Sequence, residues 1–196
     1  MKRLFDVLFS LSGLTILSPL ILYIAIRIKA DTPGNVFYKQ KRVGKNGAEF
    51  YLYKFRTMRA NSDKVDLLTY GGDDPRITRF GSFLRKYKLD ELPQLFNVLK
   101  GDMSIVGPRP EVKRYVDLYT PEQRKILNVR PGITDIASIK FIDENNLLAA
   151  QAEPEKFYIE HVMPEKIKLN QAFISSPSLY NYLRIIALTI KKIATR

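Results

Sequence analysis

The stretch Lys88-Leu89-Asp90-Glu91-Leu92-Pro93-Gln94-Leu95 sets two adjacent carboxylates between two helical segments. Phe83 to Lys88 lies on one side and Gln94 to Leu99 on the other. Two readings fit. In the first, Asp90 is an N-cap, Glu91 favours the positive end of the helix dipole, and Pro93 is tolerated in a first turn. In the second, a carboxylate nucleophile stands at a helix terminus and faces an anionic substrate held by arginines. Local spacing leaves both open, so the surrounding residues must decide.

Downstream, Gly107-Pro108-Arg109-Pro110 fixes an arginine between two prolines, and Gly107 permits close backbone approach. A guanidinium on so stiff a backbone loses little entropy on binding phosphate, which it can hold bidentately. It can equally be an exposed arginine on a tight loop. Arg130-Pro131-Gly132 repeats the arrangement. Upstream, Lys54-Phe55-Arg56-Thr57-Met58-Arg59 carries three cations that either face solvent or line a phosphate pocket. No P-loop or G-x-G-x-x-G fingerprint occurs, so side-chain cations must carry more of any phosphate charge. Val36 to Val43 and Glu49 to Phe55 read as strands, and Gly44-Lys45-Asn46-Gly47 between them predicts a tight hairpin turn. Residues 61–74 are polar and read as a mobile loop, or a short helix followed by a loop.

The chain of 196 residues fits one compact domain plus an appendage. A net charge of +12 points to anionic partners: nucleic acid, a membrane surface or phosphorylated substrates. The absence of cysteine excludes disulfides, thiol nucleophiles and Cys-based zinc sites. The single histidine, His161, makes a Ser-His-Asp triad or a His-rich metal site improbable and reads as structural. A metal would have to be held by oxygens, which favours Mg²⁺ over zinc.

Residues 4–28 form the strongest compositional shift. Between Asp6 and Arg27 lie 20 residues without charge. As a straight helix they would span about 30 Å, enough to cross a bilayer core. Ser18-Pro19 interrupts the run, because Pro19 removes the hydrogen bond to the Thr15 carbonyl. Ser10, Ser12, Thr15 and Ser18 can back-bond to freed carbonyls. Both flanks are basic, with Lys2-Arg3 before the run and Arg27 and Lys29 after it. A helix–break–helix that dips into one leaflet keeps both ends on the same face and satisfies the positive-inside rule; a kinked spanning helix is the other reading. No cleavage site suggests a removed signal peptide.

In the C-terminal third, residues 147–170 read as two helices, divided near Glu153-Pro154 and Met163-Pro164. Glu160 and Glu165 read as solvated. The last helix, Leu179 to Ala194, carries an apolar stripe of Leu183, Ile186, Ala187 and Ile190 that either packs on the core or lies on lipid headgroups.

Five blocks together resemble the bacterial sugar transferase family of monotopic phosphoglycosyl transferases. They are Lys54-Phe55-Arg56-Thr57-Met58, Asp74-Pro75-Arg76-Ile77-Thr78, Leu89-Asp90-Glu91-Leu92-Pro93-Gln94, Ser104-Ile105-Val106-Gly107-Pro108-Arg109-Pro110 and Arg130-Pro131-Gly132-Ile133-Thr134. Ser18-Pro19 matches the break in that family's re-entrant helix, and the length resembles its small, catalytic-core-only members. Asp135-Ile136-Ala137-Ser138 departs from many larger members, so Asp135 receives no role here.

The resemblance implies a mixed α/β, helix-rich monotopic membrane enzyme. Residues 1–30 would form the re-entrant membrane helix, and residues 31–196 a cytosolic catalytic domain with C-terminal interfacial helices. It would sit on the cytosolic face of the bacterial inner membrane. It would transfer a sugar 1-phosphate from a UDP-sugar to a polyprenol phosphate and release UMP. Asp90 would be the nucleophile, and Glu91 would hold Mg²⁺ with it or assist proton transfer. Arg109, Arg85 and Lys54 would offset phosphate charge, with Arg76 and Arg130 at the nucleotide end. The same family with Glu91 as nucleophile is a variant of this reading. The competing class is a basic, membrane-tethered binding module without catalysis. It lacks any nucleic-acid motif, and its Tyr and Phe are dispersed, so nucleic acid is not the expected partner.

Overall fold

A computed structural model describes residues 2–59 and 74–195. The loop reading for residues 61–74 falls almost wholly outside them. The chain opens with two helices, α1 (Lys2–Ile16) and α2 (Ser18–Asp31), bent by 62° at Leu17. The break is where Pro19 puts it. The Ser18 hydroxyl donates to the Thr15 carbonyl at 2.8 Å, replacing the donor that proline lacks. Among the described residues no single helix is long and apolar enough to cross a membrane, whereas this bent pair together is. Its outward side is apolar, with Leu8, Leu11, Ile16, Leu22 and Ile26 exposed and Ile16 at 75%.

The inward side is tied to the rest of the chain. Ile24 and Ile28 of α2 are buried with Phe55 and Leu84. Asp6 of α1 is buried and accepts from the Ser104 hydroxyl (2.9 Å), the Ile105 N–H (2.9 Å) and the Tyr182 hydroxyl (2.8 Å). A buried carboxylate needs such donors to offset its desolvation. In the sequence Asp6 marks only the edge of the uncharged run; here it joins three distant parts of the chain.

Strands β1 (Phe37–Val43) and β2 (Glu49–Phe55) form an antiparallel hairpin that pairs Val43 with Glu49 and Phe37 with Phe55. The connection, 44–48, is a short 3-10 turn rather than a two-residue one. Asn46 still supplies the positive φ, at 56°, that its residue type tolerates. Helix α3 (Arg79–Lys86) starts at Thr78, whose hydroxyl accepts from the Gly81 N–H at 2.9 Å. A Cβ on Gly81 would lie 2.1 Å from the Thr57 carbonyl oxygen, so glycine alone lets α3 sit this close to the chain leaving β2. Helix α4 (Gln94–Lys100) is stopped by Gly101 in the left-handed region. Asn97 docks α4 on β2: its side chain accepts from the Tyr53 N–H (3.0 Å) and donates to the Tyr51 carbonyl (2.7 Å).

Strands β3 (Ser104–Val106) and β4 (Gly132–Thr134) pair in parallel. The glycines of the two proline-rich blocks meet backbone to backbone, since a Cβ on Gly132 would lie 2.1 Å from the Gly107 nitrogen. Helices α5 (Lys113–Val116), α6 (Ile136–Lys140), α7 (Glu144–Ala149) and α8 (Pro154–Phe157) follow, and α5 buries Tyr115 and Val116 in one core cluster with Leu148 of α7. The expected division at Glu153-Pro154 is present. At Met163-Pro164 the chain does not break: α8 runs through a π turn, Tyr158–Val162, into α9 (Met163–Ser175). The wider turn absorbs the missing N–H of Pro164 by bonding the Met163 N–H to the Tyr158 carbonyl.

The final helix, α10 (Leu179–Ala194), buries Tyr182 and Ile185, one step round from the predicted stripe. Leu183 and Ile190 stay exposed, so the core-packing reading describes only part of this helix. The architecture is helix-rich mixed α/β, with two small sheets.

Candidate active site

Asp90 and Glu91 lie in a short 3-10 turn, Leu89–Glu91, and not at the N-cap of α4, which Pro93 occupies without a side-chain cap. The N-cap reading of Asp90 is thereby corrected. The turn is set by Lys88, which takes a left-handed backbone (φ 55°, ψ 20°) directly after α3. That conformation costs a residue with a Cβ about 1–2 kcal/mol. It redirects the chain so that both carboxylates point inward, where each residue is only 7% exposed.

They line a cleft of about 710 Å³ in which cations outnumber carboxylates. Of the predicted site residues, Lys54, Arg76, Arg85, Asp90, Glu91 and Arg109 all line it. Glu91 is fully engaged. The Arg109 guanidinium donates to both its oxygens, at 3.1 and 2.5 Å, and Lys54 Nζ lies 3.5 Å from Oε1. Burial by itself would raise the Glu91 pKa. Arg109 and Lys54 outweigh that and hold the carboxyl well below its ordinary value. Asp90 goes the other way: burial, then the neighbouring Glu91 charge, push its carboxyl up, and its Oδ1 is buried without a partner. Two adjacent carboxylates with opposed environments are the pattern of divided roles.

The cations also differ. Burial lowers the Lys54 ammonium to about 8, despite the opposing pull of Glu91. Arg109 is raised, first by the charge of Glu91. Its backbone N–H donates to Asp135 Oδ2 at 2.7 Å, and Asp135 also accepts from the Ser138 N–H and from Asn170. Asp135, left without a role in the sequence, therefore clasps the Arg109 turn to α6 and α9. Arg85 donates to the Thr57 hydroxyl at 2.9 Å, and burial lowers its pKa against the pull of Asp90. Arg76 is paired bidentately with Asp74, Nε donating to Oδ1 and Nη2 to Oδ2. Arg130 is not brought to the cleft; its Nε donates to the Gly101 carbonyl at 2.8 Å on the outside. Arg56 sits in the predicted basic run, but its guanidinium caps the end of α2 through the carbonyls of Ile28, Thr32 and Pro33.

Arg42 was missed by the sequence reading. It lines the cleft beside Tyr38 and Gln40, bonds the Pro110 carbonyl at 3.1 Å, and lies 3.7 Å from Glu111. Strand alternation would have revealed it, because 38, 40 and 42 share one face of β1. His161 is exposed, packs on Phe157 and does not line the cleft. Glu165 is paired with Lys140 at the surface.

Among the described residues no group of three His, Cys, Asp or Glu could cage a metal. A Mg²⁺ ion needs less, because it keeps waters and takes one or two carboxylates plus substrate phosphate. The buried, unpartnered Oδ1 of Asp90 suits that mode. Glu91, already gripped by Arg109 and Lys54, suits it less well.

The family described as "Bacterial sugar transferase" matches residues 1–196. The UDP-N-acetylgalactosamine-undecaprenyl-phosphate N-acetylgalactosaminephosphotransferase of Aeromonas hydrophila is 39% identical, over 99% of this chain and 44% of its own length. The UDP-glucose:undecaprenyl-phosphate glucose-1-phosphate transferase of Xanthomonas campestris pv. campestris is 40% identical, over 98% of this chain and 38% of its own length. The chain thus spans less than half of these two relatives. An uncharacterized sugar transferase of Bacillus subtilis (strain 168), EpsL, is 40% identical over 98% of this chain and 87% of its own length.

Proposed function

The chain belongs to the bacterial sugar transferase family, and from that premise we propose that it is a phosphoglycosyl transferase using Asp90 as nucleophile. The donor is a UDP-sugar and the acceptor a polyprenol phosphate, with undecaprenyl phosphate, named for the relatives, the first choice. The observation that carries the assignment is the division of the carboxylates: Glu91 is locked to Arg109, whereas Asp90, which lines the same cationic cleft, keeps one buried oxygen without a partner.

The Asp90 oxygen attacks the sugar-linked phosphorus, the bond to the UMP oxygen breaks, and UMP leaves with the electron pair. An aspartyl phosphosugar remains. A phosphate oxygen of the polyprenol phosphate then attacks the same phosphorus, and the Asp90 carboxylate is released. A carboxylate approaching a diphosphate meets like charge, so Lys54, Arg85 and Arg109 must offset it. Ionised Glu91 has no proton to give; it holds Arg109 and Lys54 in place. Asp90 would hold a Mg²⁺ ion, which would supply further neutralisation of phosphate charge. The bent α1–α2 pair, with its apolar outer side, suits a position in one leaflet of the inner membrane, facing the cytosol, where a lipid-borne acceptor meets a soluble donor.

The test is UMP release from UDP-N-acetylgalactosamine, UDP-glucose and UDP-galactose with undecaprenyl phosphate and Mg²⁺, in detergent, beside Asp90→Asn. Release by the parent alone, with an intact-mass adduct that maps to Asp90, is the expected result. Release by both proteins, or an adduct on Glu91, overturns the assignment.

A further inference from the structure

The cleft has a second wall that donor chemistry leaves unused. Helix α10 brings Thr189, Lys192 and Ile193 to its lining. A specific contact fixes that placement. The Thr189 hydroxyl donates to the Ile185 carbonyl at 2.8 Å, which leaves the Thr134 hydroxyl to donate to Thr189 at 2.7 Å. Thr134 is the last residue of β4, so the same strand that follows the Arg130-Pro131 turn also sets the position of α10. Residues three and four apart share a helix face, so fixing Thr189 fixes Lys192 and Ile193 with it.

At 3.6 residues per turn, Ile193 falls between two faces of α10. One face is the core face of Tyr182 and Ile185. The other is a stripe of Leu179, Leu183 and Ile190, of which Ile190 is 63% exposed. Ile193 therefore carries the apolar surface of α10 round to the cleft, and Lys192, about 100° further round the helix, lines the cleft as well. The Lys192 ammonium has no ion-pair partner among the described residues, whereas Lys54 and Arg109 are both committed to Glu91.

We infer that α10 is the acceptor's way in. The prenyl chain of a membrane-borne polyprenol phosphate lies along Leu183, Ile190 and Ile193, and its phosphate meets Lys192. The donor diphosphate occupies the opposite wall, at Lys54, Arg85 and Arg109. Charge complementarity and the continuity of the apolar surface of α10 with the cleft carry the assignment. It rests on the reaction proposed above and adds to it a separate site for the second half-reaction.

Because the two half-reactions use different walls, they can be measured apart. Adduct formation from UDP-sugar without acceptor reports the donor wall; turnover against undecaprenyl phosphate concentration reports α10. Lys192→Ala is expected to form the adduct at the parent rate and to raise the KM for undecaprenyl phosphate about tenfold, with Lys192→Arg restoring it. Ile190→Ser is expected to raise the same constant and leave the KM for UDP-sugar alone. An unchanged acceptor KM in Lys192→Ala overturns the inference. So does an equal loss in both half-reactions, which would mark Lys192 as structural. A parent protein that forms no adduct with any donor overturns the reaction itself, and the acceptor site with it.

Discussion

Arg109 grips both oxygens of the Glu91 carboxylate, at 3.1 and 2.5 Å. The preceding residue, Asp90, keeps an oxygen buried without a partner. The two carboxylates therefore have opposite relations to stability and to chemistry.

Asp90→Asn should abolish adduct formation and leave the melting temperature at or above that of the parent, because it removes a buried charge that its surroundings disfavour. Glu91→Gln should destabilise by about 2–3 kcal/mol, since Arg109 and Lys54 lose their counter-charge but stay partly solvated. Thermal melts in detergent, run beside the adduct assay, check both.

Lys54 gives a pH signature with two opposite signs. Its ammonium loses its proton near 8 in the folded state, below the ordinary lysine value. Activity should fall as pH rises through about 8, when a cation leaves the donor wall. Between that point and the ordinary lysine value the unfolded chain binds more protons, so stability should rise over the same window. Lys54→Arg should move the alkaline limb of the activity profile upward. A profile flat from pH 7 to 9.5 would remove Lys54 from the chemistry.

Asp135→Ala removes the acceptor of the Arg109 N–H, the Ser138 N–H and the Asn170 amide. The expected cost is about 1–3 kcal/mol, with lower kcat because the Arg109 turn loses its clasp. Asp135→Asn keeps one acceptor oxygen and should recover most of the stability. Denaturant titration and initial rates separate the two effects.

At Lys88 the left-handed backbone and the side-chain charge can be tested apart. Lys88→Ala and Lys88→Gly both remove the cation, but glycine alone relieves the backbone. Lys88→Gly should be the more stable of the two by about 1 kcal/mol, read from thermal or denaturant midpoints.

The parts of the fold that follow local rules were legible from residues alone. Pro19 with Ser18 foretold the helix break, and the spacing of Val36 to Phe55 foretold the hairpin. The proline-rich turn foretold a fixed place for the Arg109 backbone, whose N–H is held by Asp135. The acidic pair was visible too, but its division of labour was not, because it depends on Arg109 and Lys54, which are distant along the chain. The same reason hid the burial of Asp6, the docking of Asn97 on β2, and the commitment of Arg56 to the end of α2 and of Arg130 to the Gly101 carbonyl. Each is settled by a backbone partner far away in sequence.

Residue order alone accounts for the short-range choices: where the chain bends, turns and starts a helix, and which blocks carry charge. These depend on φ preferences, missing N–H groups and periodicity within a few residues. Which carboxylate keeps an unpartnered oxygen, and which cations lie near it, follows from long-range packing. So does the place of α10 beside the cleft. Those facts arise when Gly107 meets Gly132 and Thr134 meets Thr189, contacts between segments that share no local pattern.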